Sequence, residues 1–476
     1  MHDTLDTSAK LNVHMTLQKQ MINELEGKEI FRQAQSYAFD YLDKTEEKDV
    51  YPSEKNLEQL QILHEELKID SGNPKDILSI LHKVGSLGTV THTGGRYFGF
   101  IIGGAIPISI ATKWLADIWD QCGGLYVSSP LNAELELICE GWLKDILNLP
   151  SETVAGFVSG ASMANFSAIT AARYHILKNL GWDINKKGLN GAPKIRIVTH
   201  EQIHASIRKN LILLGFGDEN IEYIKSDTEG RIITSELPKL DGSCIVFLQA
   251  GNANSGSFDD FETVCEIANK ANAWVHIDGA FGLWVAASKK LSYLTKGIEK
   301  ADSWALDAHK TLNVPYDSGI VLCKHPGSIA NALQATGDYI IYSAEKRDPM
   351  LYTPEMSKRS RAIELWATLK YLGKNGIDEM ITTFHVNAKK ISIELEMAGF
   401  LILNDVVFNQ ILVALETDQK TKSVLAFLQN SGKIWLGGSI WGGKTVIRIS
   451  VSSWRTNEDD IQTTIELFKS AKEASV

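Results

Sequence analysis

The sequence predicts an α/β fold in which a mostly parallel central sheet is covered by helices, followed by a smaller C-terminal α+β unit. Two observations carry this. Between residues 154 and 322, short β-branched and apolar runs alternate with helical stretches, the pattern of a parallel sheet wrapped by crossover helices. Beyond about residue 360 the pattern changes to two helical stretches, 360–372 and 376–397, and strands near 410–415 and 445–451. The composition agrees. Of 476 residues, 44% are hydrophobic and 22% charged, which suits a globular chain long enough to bury a large core.

Residues 17–48 and 54–69 read as amphipathic helices separated by a break at 50–53, which includes Pro52. A stretch rich in glycine and aromatics follows at 92–107, then helical patterns at 108–120 and 131–147. The strand-like runs are 154–158, 195–199, 221–224, 244–248, 274–277, 303–306 and 319–322, with helices expected at 162–178, 204–214 and 260–271. Boundaries near 85 and 360 divide the chain into an N-terminal helical segment (1–85), a large α/β domain (86–360) and a small α+β domain (361–476).

A formal net charge of −10 argues against nucleic acid or an anionic membrane as the main partner, because both require a basic footprint. The five cysteines, Cys122, Cys139, Cys244, Cys265 and Cys323, are odd in number and form no CxxC pair. They fit a reduced, cytoplasmic setting without a disulfide framework. The first residues lack a basic region followed by an apolar one, so no signal peptide is expected. The longest apolar run, 98–111, contains Gly103, Gly104 and Pro107. It falls short of the ~20 residues that a membrane span needs.

Two motifs match patterns whose context fails. Residues 438–445 satisfy GxxxxGK[ST], but Lys444 leads into a β-branched run, whereas a phosphate-binding loop opens a helix. A glycine-rich hairpin turn is the better reading. Residues 200–204 satisfy HExxH, the zinc-peptidase pattern. His200 directly follows a strand-like run and the helix is expected to start near His204, so the two histidines do not share a helical face. A zinc peptidase built on His200, Glu201 and His204 is the remote alternative, and no metal is expected.

Four segments lie where the ends of parallel strands would gather them, which is where ligands collect in such sheets. Gly160, Ala161 and Ser162 stand between a strand and a helix, where free N–H groups favour an anion. Asp278 ends one apolar run, and Lys310 follows the next, beside Asp307 and His309. His204 is the fourth element. Each piece has an ordinary structural reading as a cap, a loop or a solvated side chain. Together they fit pyridoxal phosphate chemistry. A lysine forms a Schiff base with the cofactor aldehyde, a carboxylate pairs with its ring nitrogen, an imidazole stacks on the ring and a helix N-terminus holds the phosphate.

The chain resembles the group II amino-acid decarboxylases among the fold-type I (aspartate aminotransferase-like) pyridoxal-phosphate enzymes. The resemblance runs from about residue 50 to 460. It rests on the segments 97–100, 129–136, 160–162, 202–206, 276–280 and 307–310 taken in order. It implies that Lys310 is the Schiff-base lysine, Asp278 the ring-nitrogen partner and His204 the stacking histidine. Gly160, Ala161 and Ser162 become the phosphate turn, with Ala280, Asp307 and His309 around the cofactor. Tyr339 matches a loop tyrosine that protonates the substrate carbon, with Tyr342 and Tyr352 as rivals. Arg448 matches an arginine that holds a substrate carboxylate, an ion-pair role being equally open. Asn252 stands where the family often has a threonine near the cofactor, and Asp307 where it usually has asparagine.

The implied activity is α-decarboxylation of an L-amino acid to an amine and CO2. The neighbouring alternatives are an aminotransferase and an aldehyde-forming decarboxylase. A homodimer with active sites at its interface is also implied, with segment 97–101 lining the neighbour's pocket. Phe100, Ile101 and Trp304 hint at an apolar or aromatic substrate side chain, although such residues are more often core than pocket.

Overall fold

The computed structural model describes residues 7–475. Four helices come first: α1 (Thr7–Gly27), α2 (Glu29–Asp43), α3 (Glu54–Gln59) and α4 (Pro74–Lys83). The expected 17–48 helix is therefore two helices, divided at Lys28, whose φ is 58°. The expected 54–69 helix stops early because Leu67 and Ile69 are fully exposed, with no core to bury against. The sequence reading passed over α4, although Asn73 caps it and Pro74 begins it.

Next come α5 (Pro107–Trp119) and α6 (Pro130–Ile146), then the alternating region. It runs β1 (Val154–Val158), α7 (Ala161–Asn179), α8 (Ile184–Lys187), β2 (Arg196–His200), α9 (Ala205–Leu213), β3 (Ile221–Ile224), β4 (Cys244–Gln249), α10 (Phe261–Lys270), β5 (Trp274–Asp278), β6 (Ser303–Asp307), β7 (Gly319–Cys323) and α11 (Pro326–Leu333). The seven strands form one sheet in the order β1-β7-β6-β5-β4-β2-β3. Only β7 runs against its neighbours. The carboxyl ends of β1, β2, β4, β5 and β6 therefore share one edge.

Strand residues alternate between two cores. Val246 and Leu248 of β4 join one face with Leu143 of α6, Phe261 of α10 and Leu306. Ile245 and Phe247 join the other with α7 and α9. On that face, Ala164, Ala168 and Ala172 of α7 let the helix lie close against the strands.

The C-terminal part contains α12 (Ala362–Met397), β8 (Leu401–Ile402), β9 (Gln410–Ala414), α13 (Asp418–Asn430), β10 (Gly437–Trp441), β11 (Lys444–Ser450) and α14 (Glu458–Ala474). Gly373 interrupts α12 with φ 57°, which explains why its two halves read as separate helices. The four strands form a second, antiparallel sheet, β10-β11-β9-β8. Trp441 pairs with Lys444, so Gly442 and Gly443 make a two-residue turn. Both have positive φ, 54° and 77°, as a type I′ hairpin turn requires. The GxxxxGK[ST] match is this hairpin.

A buried charge network ties α6 to the segment after α11. Glu136 accepts from Lys358 Nζ at 3.1 Å, and Arg347 reaches Glu136 at 3.3 Å and Glu140 at 2.7 Å. Removing one partner of such a cluster strands the others away from water. Lys358→Met should therefore destabilise the protein by about 3 kcal/mol, read as a lower urea midpoint at fixed protein concentration.

Candidate active site

A cavity of ≈ 330 Å³ opens at the shared carboxyl edge of the sheet. Register decides its contents. Gln249 at the end of β4 lies beside Asp278 at the end of β5, and Asp278 lies beside Ala305, two residues short of Asp307 at the end of β6. The turn from β1 into α7 brings Gly160, Ala161 and Ser162 to the same edge. This turn sits against the start of β7. A Cβ on Gly319 would lie 2.3 Å from the Gly160 Cα, so only glycine allows that approach.

Lys310 Nζ lies 3.2 Å from Asp307 Oδ2. Asp307 Oδ1 accepts from the Ala161 N–H at 2.6 Å, which links the lysine to the N-terminus of α7. His309 Nδ1 accepts from the Ser318 N–H, leaving Nε2 3.5 Å from Asp307. Burial pushes the His309 pKa down, against the raising effect of Asp307. Asp278 is buried; Oδ2 accepts from Asn165 Nδ2 at 3.1 Å, and Oδ1 from the Ala280 N–H at 3.2 Å. His204 is the N-cap of α9, with Nδ1 accepting from the Ser206 N–H. Its ring lines the cavity, where desolvation lowers its pKa more than the Asp278 charge raises it.

Phe100, Ile101 and Phe281 form the apolar part of the wall. Phe100 and Ile101 have left-handed backbones, with φ of 51° and 59°. A β-branched residue rarely adopts that conformation, and such strain, about 1–3 kcal/mol per residue, concentrates at functional sites. Arg448 projects from β11 into the cavity and donates from Nη1 to the Ala253 carbonyl at 2.8 Å. Burial lowers its pKa, with no carboxylate paired to it among the described residues.

The cavity thus gathers Gly160, Ala161, Ser162, His204, Asp278, Ala280, Asp307, His309, Lys310, Phe100, Ile101 and Arg448. Other residues singled out in the sequence lie elsewhere. Tyr339 is 81% exposed on the 334–348 loop and does not reach this cavity. Tyr342 donates to the Ala335 carbonyl, and Arg347 covers the ring of Tyr352, so neither rival is free there. Asn252 is buried outside the lining, because its side-chain oxygen accepts from the Asn254 and Ser255 N–H groups and shapes the turn. Its neighbours Gly251 and Ala253 line the cavity instead. Phe100 and Ile101 line this chain's own cavity. Trp304 is fully buried core.

The HExxH residues do not form a metal site. His200 ends β2, fully buried against Gln249, while His204 caps the following helix. Among the described residues, no group of three His, Cys, Asp or Glu is arranged to hold a metal ion. Sequence reasoning missed Asn165, Ser206, Gln249 and Phe281. Asn165 stands one turn along α7 from Ser162, a helical spacing that could have marked it.

The residues fit pyridoxal phosphate: one cavity joins a lysine, a buried carboxylate, a ring-bearing histidine and a helix N-terminus. The comparisons agree. Residues 57–414 match the pyridoxal-dependent decarboxylase conserved domain, and the chain belongs to that family. An aromatic-L-amino-acid decarboxylase of Bacillus atrophaeus is 27% identical over 443 residues, covering 87% of this chain and 89% of its own. An acidic amino acid decarboxylase of Xenopus tropicalis is 28% identical over 327 residues, 66% of this chain and 63% of its own. The Oryza sativa TDC crystallised with PLP and tryptamine superimposes with a TM-score of 0.87 at 20% identity, over 95% of this chain and 98% of that one. The Rhodiola rosea 4-hydroxyphenylacetaldehyde synthase gives 0.82 at 20% identity, over 95% and 98%. The protein is a fold-type I, pyridoxal-phosphate-dependent amino-acid decarboxylase. No described helix is long and apolar enough to cross a membrane.

Behind the cavity, His276 is fully buried and its pKa is pushed down to about 4 from 6.5. Between these values the unfolded chain holds a proton that the folded one refuses. Stability therefore rises with pH across this window and is lost as pH falls through it, by on the order of 3 kcal/mol. His276→Gln should flatten this part of the stability profile, measured by urea unfolding between pH 7 and pH 4.

Proposed function

We propose that this enzyme removes the α-carboxylate of an L-amino acid as CO2 and releases the amine, with Lys310 as the residue that binds the cofactor covalently. The observation that carries this reading is the meeting of Lys310, Asp278, His204 and the α7 N-terminus around one cavity. When bound, pyridoxal phosphate supplies an electron sink for the bond broken at the substrate's α-carbon. Lys310 offers the amine for the cofactor aldehyde and releases it to the substrate amine. Asp278 offers its carboxylate to the ring nitrogen, and His204 offers a flat ring for stacking. Gly160, Ala161 and Ser162, with His309, hold the phosphate.

Arg448 holds a substrate carboxylate, having no acidic partner among the described residues. Phe100, Ile101 and Phe281 exclude water and favour an apolar or aromatic substrate side chain. Tyr339 delivers the proton that replaces CO2, which requires its loop to move or to come from a second copy. A homodimer is supported by apolar residues left exposed on α2, α4 and α5, among them Phe31, Phe39, Ile77, Leu81 and Ile118.

The same cofactor chemistry supports an aldehyde-forming decarboxylase. Tyr339 outside the cavity keeps that second reading open, because the outcome depends on what protonates the substrate carbon.

The purified enzyme should show an absorption band at about 420 nm that borohydride abolishes, leaving the label on Lys310. Lys310→Ala should lose the band and at least about a thousandfold in turnover. Sustained multiple turnover by that variant would remove Lys310 from its role. Tyr339→Phe should cut amine formation by about tenfold or more and divert product to an aldehyde, as proton transfer contributes at least that much. An unchanged amine yield and rate would exclude Tyr339 as the acid.

A further inference from the structure

Residues Trp274, His276 and Asp278 occupy alternate positions of β5 and so project to one face of the sheet, toward α7. Ser303 lies opposite His276 in register on β6. These residues and Asn165 of α7 are joined end to end. Trp274 Nε1 donates to Ser303 Oγ at 2.9 Å, and Ser303 Oγ lies 2.9 Å from His276 Nδ1. His276 Nε2 lies 2.8 Å from Asn165 Oδ1, and Asn165 Nδ2 donates to Asp278 Oδ2 at 3.1 Å. Asn165, His276 and Ser303 are fully buried, and Trp274 nearly so.

The chain has only one orientation that satisfies every member. The indole N–H can only donate, so Ser303 accepts from it and has its own hydrogen left to give to His276 Nδ1. His276, neutral at this depth, then carries its single hydrogen on Nε2 and donates to Asn165 Oδ1. That places the Asn165 amide hydrogens toward Asp278. The reverse orientation would need a protonated Asp278 and two donors facing Ser303, whose buried hydroxyl hydrogen would then have no acceptor.

We propose that Trp274, Ser303, His276 and Asn165 form a one-way hydrogen-bond relay that holds Asp278 as an acceptor and thereby keeps the cofactor's ring nitrogen protonated. They are positioning residues. The relay explains why an aspartate end is enforced from deep in the core, four residues along β5 from the cavity. The same asparagine also reaches Ser206 Oγ at 3.4 Å, and Ser206 Oγ lies 2.8 Å from His204 Nδ1, so the relay touches the histidine over the cavity as well. The inference rests on the reading of Asp278 given above.

Two magnetic-resonance measurements on the full-length holoenzyme test it. The first follows isotope-labelled pyridoxal phosphate at its ring nitrogen between about pH 6 and pH 9. The unaltered enzyme and Ser303→Thr should keep that nitrogen protonated throughout, and Ser303→Ala should lose the proton inside the window. A folded Ser303→Ala whose ring-nitrogen signal stays as in the unaltered enzyme overturns the relay. The second reads the His276 tautomer in the unaltered enzyme with labelled histidine, and so does not depend on any variant folding. Hydrogen on Nε2 is expected, and hydrogen on Nδ1 overturns the relay. An unprotonated ring nitrogen in the unaltered enzyme, with His276 still carrying hydrogen on Nε2, would instead remove the Asp278 reading and the proposal with it.

Discussion

The pairing register of β4, β5 and β6 is the constraint on which the site depends. Side chains in a strand alternate, so a one-residue slip would turn Asp278 and His276 to the opposite core. The register is held because both faces are buried: Val275 and Ile277 fit one core while Trp274 fits the other. Apolar packing on the two sides therefore fixes where a carboxylate appears at the strand's end. The lone antiparallel strand, β7, has a related role. It lies between β1 and β6, so the α7 turn and Lys310 meet across a single strand.

Polar groups are buried here in two different ways. Glu136, Glu140, Arg347 and Lys358 lie under the loop that bears Tyr339, where paired charges anchor the loop's distal end to β1. Such a cluster tolerates little change, since each ion needs the others. Around Asp278 the partners are neutral and directional. A neutral network transmits orientation without adding charge beside a site that must accept an anionic cofactor and substrate. The strained backbone at Phe100 and Ile101 belongs with this economy of placement, as irregular segments are stable only where packing on both sides dictates them.

Much of this was legible in the chain. The alternation from residue 154 reflects a local requirement, because a strand covered on both faces must be apolar along its length. The lysine, the aspartate and the small-residue turn stand at the ends of such runs, so their convergence follows once the strands are parallel. The hairpin at Gly442 and Gly443 was legible for the same reason, since the β-branched run after Lys444 excludes a helix. Less could be read where the signal is not local. The helix expected at 54–69 failed because amphipathic pattern does not create a surface to pack against. Asn252 was placed at the cofactor because composition cannot tell a side chain that faces a cavity from one that faces the core.

The sequence by itself determined the fold class, the family and most of the residues that line the cavity, because these depend on periodicity and on side-chain chemistry at strand ends. Only the tertiary structure decided that Asn165 and Ser303 stand behind Asp278, that Gln249 and Phe281 enter the cavity and that Tyr339 lies outside it. Asn165 meets Asp278 from 113 residues away, the other contacts join separate strands and turns, and Tyr339 follows the path of its loop, none of which leaves a periodic trace in the chain.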